Sequence, residues 1–167
     1  MSGPVISRSR VIAAPPEAIF SVLADPRMHP IIDGSGSLQR VVNGPERLSL
    51  GAKFGMSMRI GVPYRVTNVV VEFDEPRRIA WRHFGGHIWR YELDPAPEGT
   101  KVTETFDGRT SRAPWLLRLM AVERKHPTAM EATLERLASL VESKVAAQKT
   151  NGGEYGDKRG GGGLVSD

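Results

Sequence analysis

Residues 53–60 read KFGMSMRI, and apolar side chains occupy every second position of this stretch: Phe54, Met56, Met58 and Ile60. A side-chain period of two is typical of a β-strand with one buried face and one face in solvent. Further extended segments follow over residues 64–73, 78–84, 87–93 and 100–107, separated by turn sequences rich in Gly, Pro or Asp. Short strands joined by tight turns predict one antiparallel meander.

The segments outside this meander add a first strand and several helices. Residues 5–13 are extended and mostly alternating, and residues 14–17 (APPE) open a helix, because Pro fits a first helical turn and an acidic residue suits its positive end. Residues 28–32 predict a second short helical turn, and residues 38–42 predict a further short strand.

Helical spacing returns at the end of the chain. Residues 113–124 predict one helix, which Pro127 interrupts, and a longer helix begins at Thr128 with an apolar stripe at Met130, Leu134, Leu137 and Val141. The sequence therefore predicts an α+β domain, in which a curved antiparallel sheet of about seven strands wraps around a long C-terminal helix and two short helices follow the first strand.

Length and composition limit the class of protein. The chain has 167 residues, and residues 148–167 contain seven Gly and few apolar groups. We therefore predict one domain over residues 1–147 and a disordered Gly-rich tail over residues 148–167. The absence of Cys excludes a disulfide scaffold, a thiolate metal site and a cysteine nucleophile.

Charge and hydropathy predict a cytoplasmic protein without stable membrane insertion. No apolar run reaches the length of a spanning helix, and the first residues lack the pattern of a secretory signal. The net charge is +4, but the Arg residues are scattered along the strands, so we expect no nucleic-acid partner. No nucleotide, flavin or metal motif is present, so we expect no cofactor.

Four phrases of the sequence carry a resemblance to a known superfamily: residues 11–20 (VIAAPPEAIF), 76–81 (PRRIAW), 89–93 (WRYEL) and 99–104 (GTKVTE). With the order of elements, they resemble the helix-grip superfamily of START-like and SRPBCC domains, and most of all actinobacterial proteins of polyketide cyclase/dehydrase type. The resemblance covers residues 5–147. It implies a helix-grip fold and a cavity between sheet and helix that binds lipids, polyketides or other apolar molecules, and it leaves open whether the chain is catalytic.

The candidate ligand-binding side chains lie on the predicted inner face of the sheet and on the C-terminal helices. Met and aromatic side chains suit the wall of an apolar site, although the same residues can simply fill a core. The set is Phe54, Met56, Met58, Trp81, His83, Trp89, Tyr91, Phe106, Trp115, Leu119, Met130 and Leu134.

The hairpin around Gly85-Gly86 decides which rings share a face. A two-residue loop would pair Phe84 with His87 and separate Trp81 from Trp89. A three-residue loop with a glycine bulge would pair Phe84 with Ile88 and place Trp81 and Trp89 on one face, together with His83 and Tyr91. We favour the second form, because four large amphipathic rings are more easily accommodated inside the protein than split across the sheet.

On that face, Glu104 stands between Val102 and Phe106. A carboxyl group in an apolar cavity tends to have a raised pKa and can act as an acid or base. His83, Tyr91 and Glu104 are therefore the candidate catalytic residues of a cyclase or dehydratase. The alternative for Glu104 is a structural ion pair with a neighbouring Arg.

The remaining histidines favour no metal site. His83 and His87 are separated by a glycine turn, and no further ligand is near them in sequence, whereas a zinc site needs at least three protein ligands. His29 and His126 each lie next to a Pro at the end of a helical segment, which predicts a surface position for both.

Residues 115–120 (WLLRLM) are amphipathic and allow three interpretations: a cap over the cavity, a membrane-surface contact, or a self-association surface that would make a homodimer. The short length of the segment and the nearby Glu123 favour the cap over the membrane contact, and self-association is equally open. We therefore expect a binding protein for a small hydrophobic ligand. The alternatives are an aromatic polyketide cyclase or dehydratase, and a membrane- or protein-interaction module.

Overall fold

Seven strands form one antiparallel sheet in this computed structural model, which describes residues 2–153. The strands are β1 Val5–Ile12, β2 Leu38–Asn43, β3 Lys53–Ile60, β4 Val62–Asp74, β5 Arg78–His83, β6 Ile88–Ala96 and β7 Gly99–Asp107. Their order across the sheet is β1-β7-β6-β5-β4-β3-β2. All neighbours in the sheet except β1 and β7 are consecutive in the chain, so the predicted meander is confirmed.

The helices occupy the connections before and after the meander. After β1 come α1 (Pro16–Leu23), a 3-10 turn (Pro26–Met28) and α2 (His29–Ile32); after β7 come α3 (Pro114–Leu119) and α4 (Val122–Gly153). The apolar stripe of α4 is buried against the sheet and the short helices. The architecture is the predicted helix-grip fold, a curved sheet around a long C-terminal helix. No helix among residues 2–153 combines the length and apolar character needed to cross a bilayer.

The break between the two C-terminal helices lies at Ala121, so its predicted position at Pro127 is wrong. Ala121 has a φ of 54°, a left-handed conformation that ends α3. Pro127 lies inside α4 as its sixth residue, where its missing N–H removes one backbone hydrogen bond without ending the helix. α4 continues to Gly153, past the predicted boundary at residue 147, and the rest of the predicted tail, 154–167, lies outside the described residues.

Buried side chains between the sheet and α4 form two clusters. The larger one is built around Phe20, Phe54 and Leu134, and the smaller one around Phe106 and Met130. Trp89 packs against both clusters. The first half of β6 and the facing part of β7 therefore lie where the two clusters meet, and the candidate site is found there.

Candidate functional site

The carboxyl group of Glu104 is the most unusual group between the sheet and α4. Along β7, Val102, Glu104 and Phe106 alternate toward the helix, because side chains two apart share a sheet face. Glu104 is only 1% exposed. An ionised carboxylate in such an interior costs several kcal/mol (about 3–5 when a buried charge lacks its partner), so the group is expected to be neutral.

Two neighbours on β6 hold one oxygen of this carboxyl group. Tyr91 stands directly opposite Glu104 in the ladder. The Tyr91 hydroxyl donates to Oε1 at 2.9 Å, and the Trp89 indole Nε1 donates to the same oxygen at 2.8 Å. The other oxygen, Oε2, is buried and has no hydrogen-bond partner among the described residues.

Burial raises the pKa of Glu104 to about 8, and this effect outweighs the hydrogen bonds from Tyr91 and Trp89, which lower it. The nearby charge of Asp33 raises the same pKa further. Glu104 is therefore predominantly protonated at neutral pH. Since Oε1 already accepts two hydrogen bonds, the proton belongs on Oε2, which becomes a buried O–H donor.

An ion pair between Glu104 and a neighbouring Arg, the alternative considered from the sequence, does not form. Arg8 is the Arg opposite Glu104 on β1, and its guanidinium pairs with Glu131 of α4 at 2.9 Å instead. Within residues 2–153, the hydrogen bonds of the Glu104 carboxyl group come from Tyr91 and Trp89. The group is thus a neutral polar site in an apolar interior.

The β5–β6 hairpin places the large rings on one face, but its closing pair differs from the predicted one. The loop is Phe84-Gly85-Gly86, His83 donates its N–H to the His87 carbonyl at 2.9 Å, and Trp81 pairs with Trp89. The predicted closing pair of Phe84 and Ile88 is therefore wrong. The third loop residue adopts a positive φ, 94° at Gly86, which the predicted loop would have imposed on His87.

An aromatic wall stands next to the carboxyl group. Trp81 lies 5.7 Å from both Tyr91 and Phe54, measured between ring centroids, and His29 stacks on Trp81 at 4.7 Å. His29 is 5% exposed, so its predicted surface position is wrong. Its Nε2 bonds to the Leu23 carbonyl at 2.8 Å, and burial lowers the pKa of His29 to about 4. This wall is therefore uncharged at neutral pH.

A sequence signal for His29 existed in the spacing of α2. His29 and Ile32 are three residues apart and both are buried, which is the spacing of one helix face. His126 shows the same kind of signal, four residues before the buried Met130. The His126 ring lies 4.7 Å from Phe106 and 5.4 Å from Trp89, half-buried rather than at the predicted surface position.

The three predicted catalytic residues are only partly brought together. Tyr91 and Glu104 are hydrogen-bonded. His83 stacks on His87 at the hairpin end, and His87, directly before β6, is four residues from Tyr91, roughly 13 Å at the rise of a strand. His83 is thus outside hydrogen-bond reach of Glu104. Among residues 2–153, no group of three or more His, Cys, Asp or Glu side chains could hold a metal ion.

The predicted ligand-binding residues divide into inner and outer sets. The fully buried ones are Phe54, Met56, Tyr91, Phe106, Met130 and Leu134; the partly buried ones are Met58, Trp81, His83 and Trp89. Trp115 and Leu119 are 67% and 75% exposed, because α3 turns Leu117 inward instead.

A separate polar pocket of about 260 Å³ is lined by Asp74, Arg77, Arg78, Glu92 and Asp94, and does not include Glu104.

Comparisons with known proteins agree with this architecture. The family described as "Polyketide cyclase / dehydrase and lipid transport" matches residues 4–142. The uncharacterized protein Rv0088 of Mycobacterium tuberculosis is 35% identical over 139 residues, 80% of this chain and 62% of that protein. The chain thus spans less than two thirds of the length of this curated relative.

Two solved structures show the same fold at low sequence identity. The di-domain ARO/CYC protein StfQ from the steffimycin biosynthetic pathway has a TM-score of 0.68 at 14% identity, covering 85% of this chain and 51% of that one. The AHSA1-like protein from Aeromonas hydrophila has a TM-score of 0.59 at 21% identity, covering 84% of this chain and 94% of that one. With the family match over residues 4–142, the chain belongs to the polyketide cyclase/dehydrase and lipid transport family.

Proposed function

We propose that the protein binds a neutral, largely apolar molecule between the sheet and α4, and that Glu104 donates a hydrogen bond from Oε2 to an oxygen of that molecule. The buried and unpartnered Oε2 is the observation that carries this proposal. Leaving a buried polar group unsatisfied costs about 1–3 kcal/mol. A ligand with an accepting oxygen, such as a ketone, removes that cost when it binds.

The surroundings of Glu104 define the rest of the ligand. Trp81, Phe54 and Tyr91 offer ring faces and edges, which favour a flat or aromatic body. His29 is neutral at pH 7, and the charge of Asp33 acts on Glu104. An anionic ligand group would therefore meet no compensating charge there, and a neutral acceptor is preferred.

The family match supports an apolar ligand, because its description names polyketide cyclases, dehydrases and lipid transport. The ARO/CYC designation of StfQ belongs to that protein alone; at 14% identity it supports the fold rather than a reaction here. The choice of a ketone-bearing ligand rests on Glu104 and its two partners.

Native mass spectrometry of protein purified without detergent is the first test, followed by solvent extraction of any bound molecule. A neutral apolar adduct bearing a carbonyl or similar oxygen is expected. Prodan, an uncharged naphthalene with a ketone, then serves as a defined probe whose emission reports its surroundings. The parent aminonaphthalene without the ketone is the matched probe.

Two substitutions at Glu104 separate the hydrogen bond from the shape of the site. Glu104→Gln keeps one acceptor and one donor in the same places, so Prodan should bind as to the wild type. Glu104→Leu removes the donor and should weaken Prodan binding about tenfold, the equivalent of one hydrogen bond, with little effect on the ketone-free probe. Glu92→Leu, on the opposite face of β6, is the control. Equal Prodan affinity for wild type and Glu104→Leu would refute the proposal.

A second candidate function, a dehydratase or cyclase, is favoured by the proton that Glu104 holds at neutral pH. In a β-hydroxy ketone, Glu104 would protonate the departing hydroxyl, water would leave, and the carboxylate would take the proton from the α-carbon. Glu104→Gln distinguishes this function from simple binding, because the amide still binds the ketone but cannot transfer its proton. Dehydration of a β-hydroxy ketone probe by the wild type, lost in Glu104→Gln, would support the enzyme.

A further inference from the structure

Large apolar side chains are concentrated on the outer face of α3 and its end. Trp115 and Leu119 are 67% and 75% exposed, and Leu116 and Met120 are also exposed. At about 100° per residue, these four positions fill one arc of the helix, while Leu117 turns into the core. Single exposed apolar residues are ordinary, but a contiguous group of this kind marks an interaction surface.

Phe84 extends this surface from the β5–β6 hairpin. Its side chain is 61% exposed. The hairpin loop is fixed to the segment that leads into α3: the Arg112 N–H donates to the Gly85 carbonyl at 2.9 Å, and the Thr110 hydroxyl donates to the Gly86 carbonyl at 2.7 Å. We name Phe84, Trp115, Leu116, Leu119 and Met120 the α3 patch.

The β3–β4 hairpin tip lies at the same end of the sheet. His83, the last residue of β5, pairs with Asn68, so residues 62–67 of β4 extend beyond the end of β5. Ile60, Val62 and Tyr64 are exposed there and continue the apolar face of β3 past the core. Apolar groups of the sheet and of α3 thus meet solvent at one end of the domain.

Charge at this end is net positive. Residues 107–125 contain five basic and two acidic residues, with Arg109 paired to Asp107 at 2.7 Å, and residues 59–65 contain two basic residues and no acidic one. The opposite end differs: residues 74–78 contain two acidic and two basic residues, and Arg77 pairs with Asp74 at 3.3 Å. An apolar surface bordered by cations complements an anionic, partly apolar partner.

We propose that the α3 patch, together with the basic residues among 109–125 and 59–65, docks on an anionic lipid surface. Trp, Leu and Met side chains enter the boundary between headgroups and acyl chains, while Arg and Lys side chains remain with the anionic headgroups. A second copy of the chain is a poorer occupant, because two such surfaces face to face would bring like charges together. Docking is peripheral, and the patch lies at the surface of the bilayer.

Vesicle flotation of the full chain tests this proposal. The vesicles are phosphatidylcholine alone, or phosphatidylcholine with one third phosphatidylglycerol, at low and high salt. We expect flotation with the anionic vesicles, weakened by salt, and at least tenfold weaker binding to the neutral ones. Absence of flotation with the anionic vesicles would overturn the proposal.

Two pairs of double variants locate the contact. Trp115→Ala with Leu119→Ala should reduce binding about tenfold, whereas Ile31→Ala with Leu50→Ala, which are also exposed apolar residues, should leave it unchanged.

Arg124→Gln with Lys125→Gln should weaken binding about tenfold and flatten its salt dependence. The control is Arg82→Gln with Lys101→Gln, which removes the same charge from the outer face of the sheet and should leave vesicle binding unchanged. Equal losses in each pair would contradict the assignment.

The same proteins show whether a second copy of the chain covers the α3 patch, and whether vesicle binding depends on Glu104. Light scattering after size exclusion should give the same mass for the wild type and Trp115→Ala/Leu119→Ala. A wild-type dimer that this variant abolishes would show that a second copy covers the patch instead. Glu104→Leu should float like the wild type, so failure of the ligand-binding proposal leaves this result unaffected.

Discussion

At the scale of single residues, Glu104 determines much of the chemistry and makes stability depend on pH. Its pKa is about 8 in the folded protein, against an ordinary value of 4.5. At pH values between 4.5 and about 8, Glu104 has lost its proton in the unfolded chain and retains it in the folded protein. Glu104 therefore lowers the free energy of unfolding progressively as pH rises from about 4.5 to about 8, and below that range this effect disappears.

Glu104→Gln removes this dependence. Relative to the wild type, we expect the variant to become more stable as pH rises, by up to about 1.4 kcal/mol per pH unit within the window. Urea unfolding of both proteins at several pH values between the two pKa values measures the difference. Glu92→Gln is the control on the outer face, and a difference between Glu104→Gln and wild type that stays constant with pH would contradict a protonated Glu104.

At the scale of elements, the junction of α3 and α4 sets the direction in which the α3 patch faces. Ala121 ends α3 with a φ of 54°, a conformation that favours Gly over residues with a side chain. Ala121→Gly should raise the free energy of unfolding by about 0.5–1 kcal/mol. Ala147→Gly, in the exposed part of α4, should lower it or leave it unchanged. Chemical unfolding of both variants checks this, and a destabilising Ala121→Gly would contradict the junction described.

The elements also show how far a sequence predicts this fold. The alternation of apolar and polar residues in β3 and the turn sequences between strands were sufficient to predict the meander. Burial of one face of a sheet requires an apolar side chain at every second position. The helix break was predicted at Pro127 because Pro is the residue that most often ends a helix. The observed break is at Ala121, and Leu117 and Val122 on its two sides are buried in one cluster. Tertiary packing of this kind leaves no mark on the local sequence.

The candidate site was partly predictable for the same reason. Parity along β7 placed Glu104 on the inner face next to Phe106, and parity along β6 placed Trp89 and Tyr91 on the same face; in the ladder Tyr91 is opposite Glu104 and Trp89 is opposite Phe106. The partnership of His83 with Glu104 was not borne out by the distances, because a shared face says nothing about separation along the strand. The burial of His29 was missed although His29 shares a helix face with Ile32, because its stacking partner Trp81 is more than fifty residues away in the sequence.

At the scale of the whole molecule, the sheet and α4 place a neutral acid in the interior while one end of the domain collects apolar and basic groups. The β5–β6 hairpin contributes to both regions: Trp89 of β6 donates a hydrogen bond to Glu104, and Phe84 in the loop is an exposed member of the α3 patch. In our account an apolar molecule is held inside by Glu104, and the exposed end meets the lipid surface. Each region is tested by variants that leave the other unchanged.

The most direct test of the central claim is ¹³C NMR of protein labelled at the side-chain carboxyl carbon of Glu, with Glu104 assigned through Glu104→Gln. We predict that the Glu104 resonance stays at the position of a protonated acid at pH 7, and that it shifts when Prodan binds but not with the ketone-free probe. A resonance at the carboxylate position at pH 7, or one that does not respond to Prodan while the probe binds, would contradict the role of Glu104 as a buried hydrogen-bond donor to the ligand.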